Sequence, residues 1–428
     1  MGIVVLFAIL FVGMLVGLPI FLTIGVATLA YMIDVGPNVL PIFMQRLFSG
    51  TLGYSFAAVP LFILAGSVMS KTGITDRIIR LCNGFVGHWR GGLAQVNIAA
   101  SVVFAGISGS ALADTAALGS ILIPAMEKEG YERAYAAAVT SASATLGPII
   151  PPSIIMVIYG SAFGMSVGAL FAAGVVPGLI LAISQFVVTY ILARRHGYPR
   201  QPRSSLVEIW RSVLAAWTAI IMPFIILGGI FSGTFTANEA SGIAVLYALL
   251  LGLLLYRNIN LKTIYGLFKD VALQTAAILF ILAVAQNFAW IVSRRRIPIV
   301  LMNAMLGLTT NPTLLLILIG ITLFIAGMFV ERAVNLFLLG PILLPILTTT
   351  LGMDALHAGM FMIFVLGIGH VTPPFGAALY TVAMISDTDV EKIVKFLWPY
   401  IAGMVVVALL IMFVEPVVMW LPRLLGLR

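Results

Sequence analysis

Four short interruptions in strongly apolar sequence hold the residues whose types could bind an ion or an acid. The first two combine glycine, serine, proline and one carboxylate, and their candidate residues are Gly106, Ser108, Gly109, Ser110, Asp114, Gly147, Pro151 and Pro152. The other two repeat this pattern farther along the chain, with Gly327, Met328, Glu331, Gly369, Thr372 and Pro373 as candidates. Proline inside a helix removes a backbone hydrogen bond, so each interruption is predicted to free backbone carbonyl groups.

Freed carbonyl groups need a partner inside a membrane, because each unsatisfied polar group costs several kcal/mol there. Carboxyl ends of half-helices and bare carbonyl oxygens suit Na⁺, whereas amino ends of half-helices with serine hydroxyls suit a carboxylate. We therefore expect two Na⁺ sites near the middle of the membrane, with a substrate between them.

The same residues could also have purely structural roles and bind no ligand. A single glycine or proline break can simply kink a helix or allow close packing, and Ser108 and Ser110 can bond to their own helices. Asp114 can cap a half-helix and Glu331 can pair with Arg332. As ionisable groups in apolar runs, both acids are also candidates for a direct role.

The composition places these interruptions in a membrane protein. Of the 428 residues, 61% are hydrophobic and 9% are charged, against about 25% charged in soluble domains. This excludes a soluble enzyme, a nucleic-acid-binding domain and a disordered chain. The net charge of +8 does not indicate nucleic acid, because lysine and arginine cluster in short loops, as orientation signals do.

An internal duplication relates the four interruptions. Gly106 and Gly327, Gly147 and Gly369, and the pairs Pro151–Pro152 and Pro373–Pro374 recur at nearly constant spacing. If the first interrupted run is a re-entrant hairpin, most basic loops fall on the cytoplasmic side, and the second copy enters from the opposite face. The cluster 294–296 is the exception. The predicted fold is an all-α polytopic membrane protein with inverted repeats, two re-entrant hairpins, two discontinuous helices and about 11–13 membrane segments.

The sequence lacks the motifs of several enzyme classes. The chain has no P-loop, no HExxH and no GxSxG sequence, so we expect neither ATP hydrolysis nor a familiar hydrolase. Transport would then depend on an ion gradient or a partner. One alternative is an intramembrane enzyme that uses Asp114 and Glu331 as paired carboxylates. Separately, Thr236 followed by Glu239 predicts a helix amino terminus.

Several stretches resemble the large membrane subunit of the tripartite ATP-independent periplasmic (TRAP) transporters, nearly from end to end. They are residues 60–66, 91–94, 108–114 (Ser-Gly-Ser-Ala-Leu-Ala-Asp), 123–126, 147–153 (Gly-Pro-Ile-Ile-Pro-Pro-Ser), 170–178, 235–239 and 372–376. The resemblance implies Na⁺-coupled uptake of an organic acid across the bacterial inner membrane by an elevator mechanism. The acid would be a C4-dicarboxylate, a sialic acid or another sugar acid, and no other cofactor is implied. A stand-alone ion-coupled anion transporter of similar inverted-repeat fold is the nearest alternative.

The resemblance also implies partners and a division of the chain. The expected partners are a small four-helix membrane subunit on a separate chain, an extracytoplasmic substrate-binding protein and the lipid bilayer, with no nucleic acid. The expected segments are 1–92 (scaffold helices and a basic loop), 93–166 (first transport repeat), 167–311 (scaffold helices), 312–387 (second transport repeat) and 388–428 (carboxyl-terminal helix). Ser108, Gly109 and Ser110 would form the first hairpin tip, and Gly327 and Met328 the second. Gly147, Pro151 and Pro152 would lie in one broken helix, and Gly369, Thr372 and Pro373 in the other.

Overall fold

The computed structural model of the chain describes residues 2–49 and 53–427, and all regular structure in these ranges is helical. The first ten helices are α1 Gly2–Leu15, α2 Ile20–Val35, α3 Leu40–Ser49, α4 Ala58–Lys71, α5 Ile74–Val86, α6 Gly92–Ser108, α7 Ala111–Lys128, α8 Arg133–Ser143, α9 Ile154–Phe163 and α10 Val167–His196. The remaining helices are α11 Leu206–Phe231, α12 Ala237–Leu250, α13 Leu261–Arg294, α14 Ile297–Leu308, α15 Pro312–Phe329, α16 Arg332–Pro345, α17 Ala355–Gly369, α18 Ala377–Ser386, α19 Val390–Phe413 and α20 Glu415–Leu424.

The apolar run at the amino terminus is divided into two antiparallel helices. Gly17 takes a φ of +77°, which favours glycine, and α2 begins just after Pro19. A Cβ atom on Gly13 would lie 2.6 Å from the Thr23 side chain, and one on Gly2 would lie 3.1 Å from the Tyr31 ring. Contacts at both ends show that α1 and α2 fold back on each other.

Seven helices in the described ranges are long and apolar enough to cross a membrane. An eighth candidate is the pair α4 and α5, which is bent by 74°. Seven further apolar helices of 10–17 residues are shorter than a full crossing. The chain is thus an all-α polytopic membrane protein. The figure of about 11–13 segments stays a prediction, because it depends on how the short helices cross.

Two groups of four helices carry the predicted site residues. The first group is α6, α7, α8 and α9, and the second is α15, α16, α17 and α18. In each group, two helices joined by a two-residue connection precede a helix that is interrupted by a proline pair. The groups also pack on each other, since α18 lies against α7 and α8 and α16 lies against α9.

The predicted start of α12 is confirmed. Thr236 Oγ1 accepts a hydrogen bond from the Glu239 backbone N–H at 3.3 Å, and the Glu239 carboxylate accepts one from the Thr236 N–H at 2.8 Å. The pair is a capping box that satisfies two backbone donors at the helix end.

Candidate functional site

The first hairpin tip is a glycine turn between α6 and α7. Gly109 ends α6 with a φ of +60°, a left-handed conformation that favours glycine. Ser110 then caps α7, because its hydroxyl accepts the Ala113 N–H at 3.4 Å. The Ser108 hydroxyl is buried and accepts the Ser110 N–H at 3.5 Å. Two hydroxyl groups therefore stand at the junction of a helix carboxyl end and a helix amino end.

The first break separates α8 from α9. A 3₁₀ turn over Ala144–Leu146 follows α8, and residues 147–153 have no regular structure. The peptide bond between Pro151 and Pro152 is cis. Within the described chain, no hydrogen bond reaches the backbone carbonyls of Gly147, Pro151 or Pro152. Bare carbonyl oxygens, which were predicted here, are present.

The first tip and the first break lie in direct contact. Ile154 at the start of α9 donates its N–H to the Gly109 carbonyl at 3.4 Å. A Cβ atom on Gly109 would lie 2.5 Å from the Pro152 carbonyl oxygen, and one on Gly147 would lie 3.1 Å from the Ser110 backbone. At Gly109 the two backbones pass too close for a side chain, and at Gly147 an added Cβ atom would be tightly packed. Of the predicted residues of this half, Gly109, Ser110, Gly147 and Pro152 thus lie together.

The second tip joins α15 to α16 through Val330 and Glu331. Glu331 caps α16, accepting the N–H groups of Ala333 and Val334 at 2.8 and 3.3 Å. The Asn335 side chain donates to the carbonyls of Ala326 and Val330 at 2.9 and 2.8 Å. Asn335 therefore satisfies two carbonyl groups at the end of α15 and fixes the angle of the tip.

The second break follows Gly369 at the end of α17. The Thr372 hydroxyl donates to the Ile368 carbonyl at 2.7 Å, and the Thr372 N–H donates to the Gly369 carbonyl at 3.0 Å. The bond between Pro373 and Pro374 is cis. The carbonyls of Thr372 and Pro373 accept no hydrogen bond from the described chain. The Thr372 hydroxyl oxygen and these two carbonyl oxygens are therefore available to a cation.

The second tip and the second break also touch. A Cβ atom on Gly369 would lie 2.4 Å from the carbonyl carbon of Gly327 and 2.7 Å from the Met328 nitrogen. Phe375 donates its N–H to the Met328 carbonyl at 3.2 Å. The tip–break contact of the first half therefore has a counterpart in the second half, where Gly369 stands at the position that corresponds to Gly147.

A narrow apolar gap lies between the two breaks. It is lined by Thr145 and Ile149 beside the first break and by Gly367 and Ile368 at the end of α17, with Leu181, Phe364 and Met404 around them. Residues beside both breaks thus line one small space, and a substrate site between the two halves stays a prediction.

The two acidic candidates have different surroundings. Asp114 is 1% exposed, and neither of its carboxylate oxygens has a hydrogen-bond partner of ideal geometry. Its interacting neighbour is the Ser101 hydroxyl on α6. Asp114 does not cap α7, because Ser110 does. Glu331 is exposed and forms no ion pair with Arg332 in the described structure, since its carboxylate caps its own helix.

Two buried polar side chains that the sequence analysis did not select hold the first break in position. Asn97 on α6 donates to the Thr140 hydroxyl at 2.7 Å and accepts from the Ser143 hydroxyl at 3.1 Å. Gln185 on α10 donates to the Ala142 carbonyl at 2.8 Å. The signal for both was an amide side chain inside an apolar run, which usually marks a packing or functional contact between helices.

Comparison with known proteins gives close relatives and a shared fold. The chain is 37% identical over 408 residues to the sialic acid TRAP transporter large permease protein SiaM of Vibrio cholerae, covering 95% of each chain. It is 37% identical over 382 residues to the C4-dicarboxylate TRAP transporter large permease protein DctM of Pseudomonas aeruginosa, covering 89% of each. The crystal structure of the Alcanivorax borkumensis YdaH transporter superposes with a TM-score of 0.66 over 89% of this chain and 90% of that one, at 14% identity. That likeness concerns the fold alone.

A family model covers almost the whole chain. Residues 3–417 match the model described as tripartite ATP-independent periplasmic transporter, DctM component. The match includes both hairpin tips and both breaks. The chain therefore belongs to the DctM family of tripartite ATP-independent periplasmic transporters, and it is a transporter permease rather than an enzyme.

Proposed function

We propose that this chain takes up an organic acid together with Na⁺, as the large subunit of a tripartite assembly in the bacterial inner membrane. One observation carries the proposal. In each half of the molecule a proline-pair break with unbonded carbonyl groups packs against a glycine-containing hairpin tip. Such clusters of oxygen atoms at helix ends are the usual sites of coupling ions and substrates in secondary transporters.

The oxygen atoms in the two clusters suit Na⁺ as the coupling ion. Ser108 with the carbonyls of Gly147, Pro151 and Pro152 would bind one ion, and Thr372 with its neighbouring carbonyls would bind another. Each positive charge that crosses 100 mV supplies about 2.3 kcal/mol. A tenfold uphill gradient of the acid costs about 1.4 kcal/mol, so one or two net charges support strong accumulation.

The arrangement of helices supports inverted repeats and an elevator movement. The same order of elements occurs twice, at positions that the sequence repeat already relates. In this proposal, residues 93–166 and 312–387 move together as a transport unit against the other helices, with 1–92 and 167–311 as scaffold. Asp114 would stabilise the first tip through Ser101, near the first Na⁺ site.

The substrate and partners follow from the family and its members. Relatives are described as sialic acid and C4-dicarboxylate permeases, so we expect a carboxylate-bearing substrate here. The word tripartite in the family description supports a separate small membrane subunit and an extracytoplasmic binding protein. A stand-alone ion-coupled carrier would need no binding protein. Uptake without a binding protein would therefore distinguish such a carrier from the tripartite assembly.

Uptake into proteoliposomes tests the proposal. The chain is reconstituted with the small subunit and the binding protein from the same organism, and four labelled acids are supplied: succinate, L-malate, N-acetylneuraminate and D-gluconate. We expect uptake of at least one acid, only with the binding protein and an inward Na⁺ gradient. Equal uptake after K⁺ replaces Na⁺ would contradict the coupling, and equal uptake without the binding protein would favour the stand-alone carrier.

A further inference from the structure

The buried arginine at the second hairpin tip has no hydrogen-bond partner, although it interacts electrostatically with the neighbouring Glu331. Arg332 is 4% exposed, and none of its three guanidinium nitrogens forms a hydrogen bond within the described chain. The adjacent Glu331 points its carboxylate at backbone N–H groups of α16 instead. His370 is the other titratable side chain close enough to interact with Arg332, and it carries no negative charge.

A buried guanidinium whose nitrogens form no hydrogen bonds favours an anion that can accept them. Arginine keeps its charge at neutral pH, and a charged side chain within the membrane is costly unless it is paired or faces a cavity. Arginine side chains that remain buried therefore usually meet a carboxylate or phosphate. The planar guanidinium fits a carboxylate through two parallel hydrogen bonds.

The location of Arg332 matches the proposed substrate path. A Cβ atom on Gly367 would lie 3.0 Å from Arg332 Nη2 and 3.2 Å from its Cζ, so the guanidinium lies against the bare backbone of α17. Gly367 also lines the gap between the two breaks. In addition, Arg332 is the first residue of α16, where the helix dipole favours negative charge.

Side chains close to Arg332 in the sequence and at the second break are exposed at the protein surface. Glu331 is exposed, and Phe329 and Phe375 are 55% and 61% exposed. The two phenylalanine rings lie 5.8 Å apart and join the second tip to the second break.

We propose that Arg332 binds the carboxylate of the transported acid through its guanidinium. The proposal rests on the proposed function and deepens it, because it names the side chain that recognises the negative charge of the substrate. The Na⁺ sites use other residues, so the loss of Arg332 should impair acid binding and leave Na⁺ binding intact.

The test compares Arg332→Gln, Arg332→Lys and wild type in the tripartite proteoliposomes, with the same four labelled acids. For the acid that wild type carries, Arg332→Gln should raise the half-saturating concentration by roughly 30-fold or more, as expected when one partner of a buried charge pair is removed. Arg332→Lys should raise this concentration less, because lysine keeps the positive charge although it lacks the planar guanidinium. Na⁺-dependent thermal stabilisation of the purified permease, without acid, should be unchanged in both variants.

The control is Arg423→Gln, which removes an exposed arginine that pairs with Glu415. If wild type is active and Arg332→Gln has an unchanged half-saturating acid concentration, the role of Arg332 is overturned. The proposed function would not be affected by this result. Failure of wild type to carry any of the four acids with Na⁺ would instead overturn the proposed function. A loss of Na⁺-dependent stabilisation in both Arg332 variants would also contradict the inference, because it would indicate a structural role.

A measurement on the unmodified side chain covers the case in which the variants do not fold. The wild-type assembly is treated with phenylglyoxal, and modification of Arg332 is followed by mass spectrometry with each acid or with neutral glycerol. Slower modification in the presence of a transported acid supports the inference. The same rate with every acid and with glycerol would overturn it.

Discussion

Ser108 at the first tip and Thr372 at the second break supply the two hydroxyl groups of the proposed Na⁺ sites. Each is buried at the end of a helix, and each hydroxyl lies next to a turn that contains unbonded carbonyl groups. The surroundings differ in one respect, because the Thr372 hydroxyl donates to its own helix at 2.7 Å. Ser108 forms no such bond, so its hydroxyl is freer to turn its oxygen toward a cation.

Replacement of Ser108 tests this role at the residue scale. Ser108→Ala should raise the Na⁺ concentration for half-maximal uptake at least about tenfold, because a bond to a charged group contributes about 1.5–3 kcal/mol. The measurement is the Na⁺ dependence of initial uptake rates. Ser120→Ala is the control, since Ser120 is exposed on α7 and bonds only to its own helix. An unchanged Na⁺ dependence in Ser108→Ala would remove Ser108 from the site.

Individual residues also show what sequence could and could not predict. The location of all four interruptions was predictable, because glycine, proline and serine stand out against apolar sequence. The predicted alternative of a Glu331–Arg332 pair was not observed, since capping of α16 occupies the carboxylate. Nothing in the sequence indicated that Arg332 would be buried without a hydrogen-bond partner. That outcome depends on how α16 packs against Gly367.

At the scale of the elements, each hairpin tip depends on the broken helix beside it. Neither the tip nor the break is a continuous helix, and each satisfies part of the backbone of the other through the Ile154–Gly109 and Phe375–Met328 hydrogen bonds. Sequence predicted the tips and the breaks separately. Their contact is long-range and leaves no periodic pattern, although the glycines at the points of contact were a usable signal.

Glycine substitutions test this dependence. Gly109→Ala would place a methyl group 2.5 Å from the Pro152 carbonyl oxygen, and Gly369→Ala would place one 2.4 Å from the Gly327 backbone. Both variants should reach the membrane but lose Na⁺-driven uptake, because the backbone of each pair must separate. Surface expression and uptake are the two measurements.

Two other glycines supply matched controls. Gly130 also has a positive φ, +87°, but nothing lies within 4 Å of its Cβ position, and the same holds for the helical Gly228. Gly130→Ala therefore controls for backbone strain without crowding, and Gly228→Ala for an added methyl group. If Gly109→Ala and Gly369→Ala keep uptake as well as these controls do, close contact between tip and break is unnecessary for transport.

At the scale of the whole molecule, α10 lies between the predicted transport unit and the remaining helices. This 30-residue helix packs against α6, α8, α9 and α17 and also against α11, α19 and α20. The elevator proposal requires α10, as part of the scaffold, to slide relative to the first break. The division of the chain was implied by the family resemblance, and it stays a prediction together with the movement.

A reversible crosslink tests the movement. A Cβ atom on Gly178 of α10 would lie 3.6 Å from the Ile150 Cα atom, which is within the reach of a disulfide. In a Cys82→Ser background, which removes the single native cysteine, the oxidised Gly178→Cys, Ile150→Cys pair should lose uptake and regain it after reduction. Full uptake with the disulfide intact would show that α10 and the first break move together.

The central claim is that the two tip–break pairs bind Na⁺, and equilibrium binding of ²²Na⁺ to the purified permease tests it most directly. We predict two ions per chain for wild type. Gly109→Ala and Gly369→Ala should each bind one ion, and the Gly228→Ala control should bind two. Two ions in both tip variants, or displacement of ²²Na⁺ by K⁺ as readily as by Na⁺, would contradict the account.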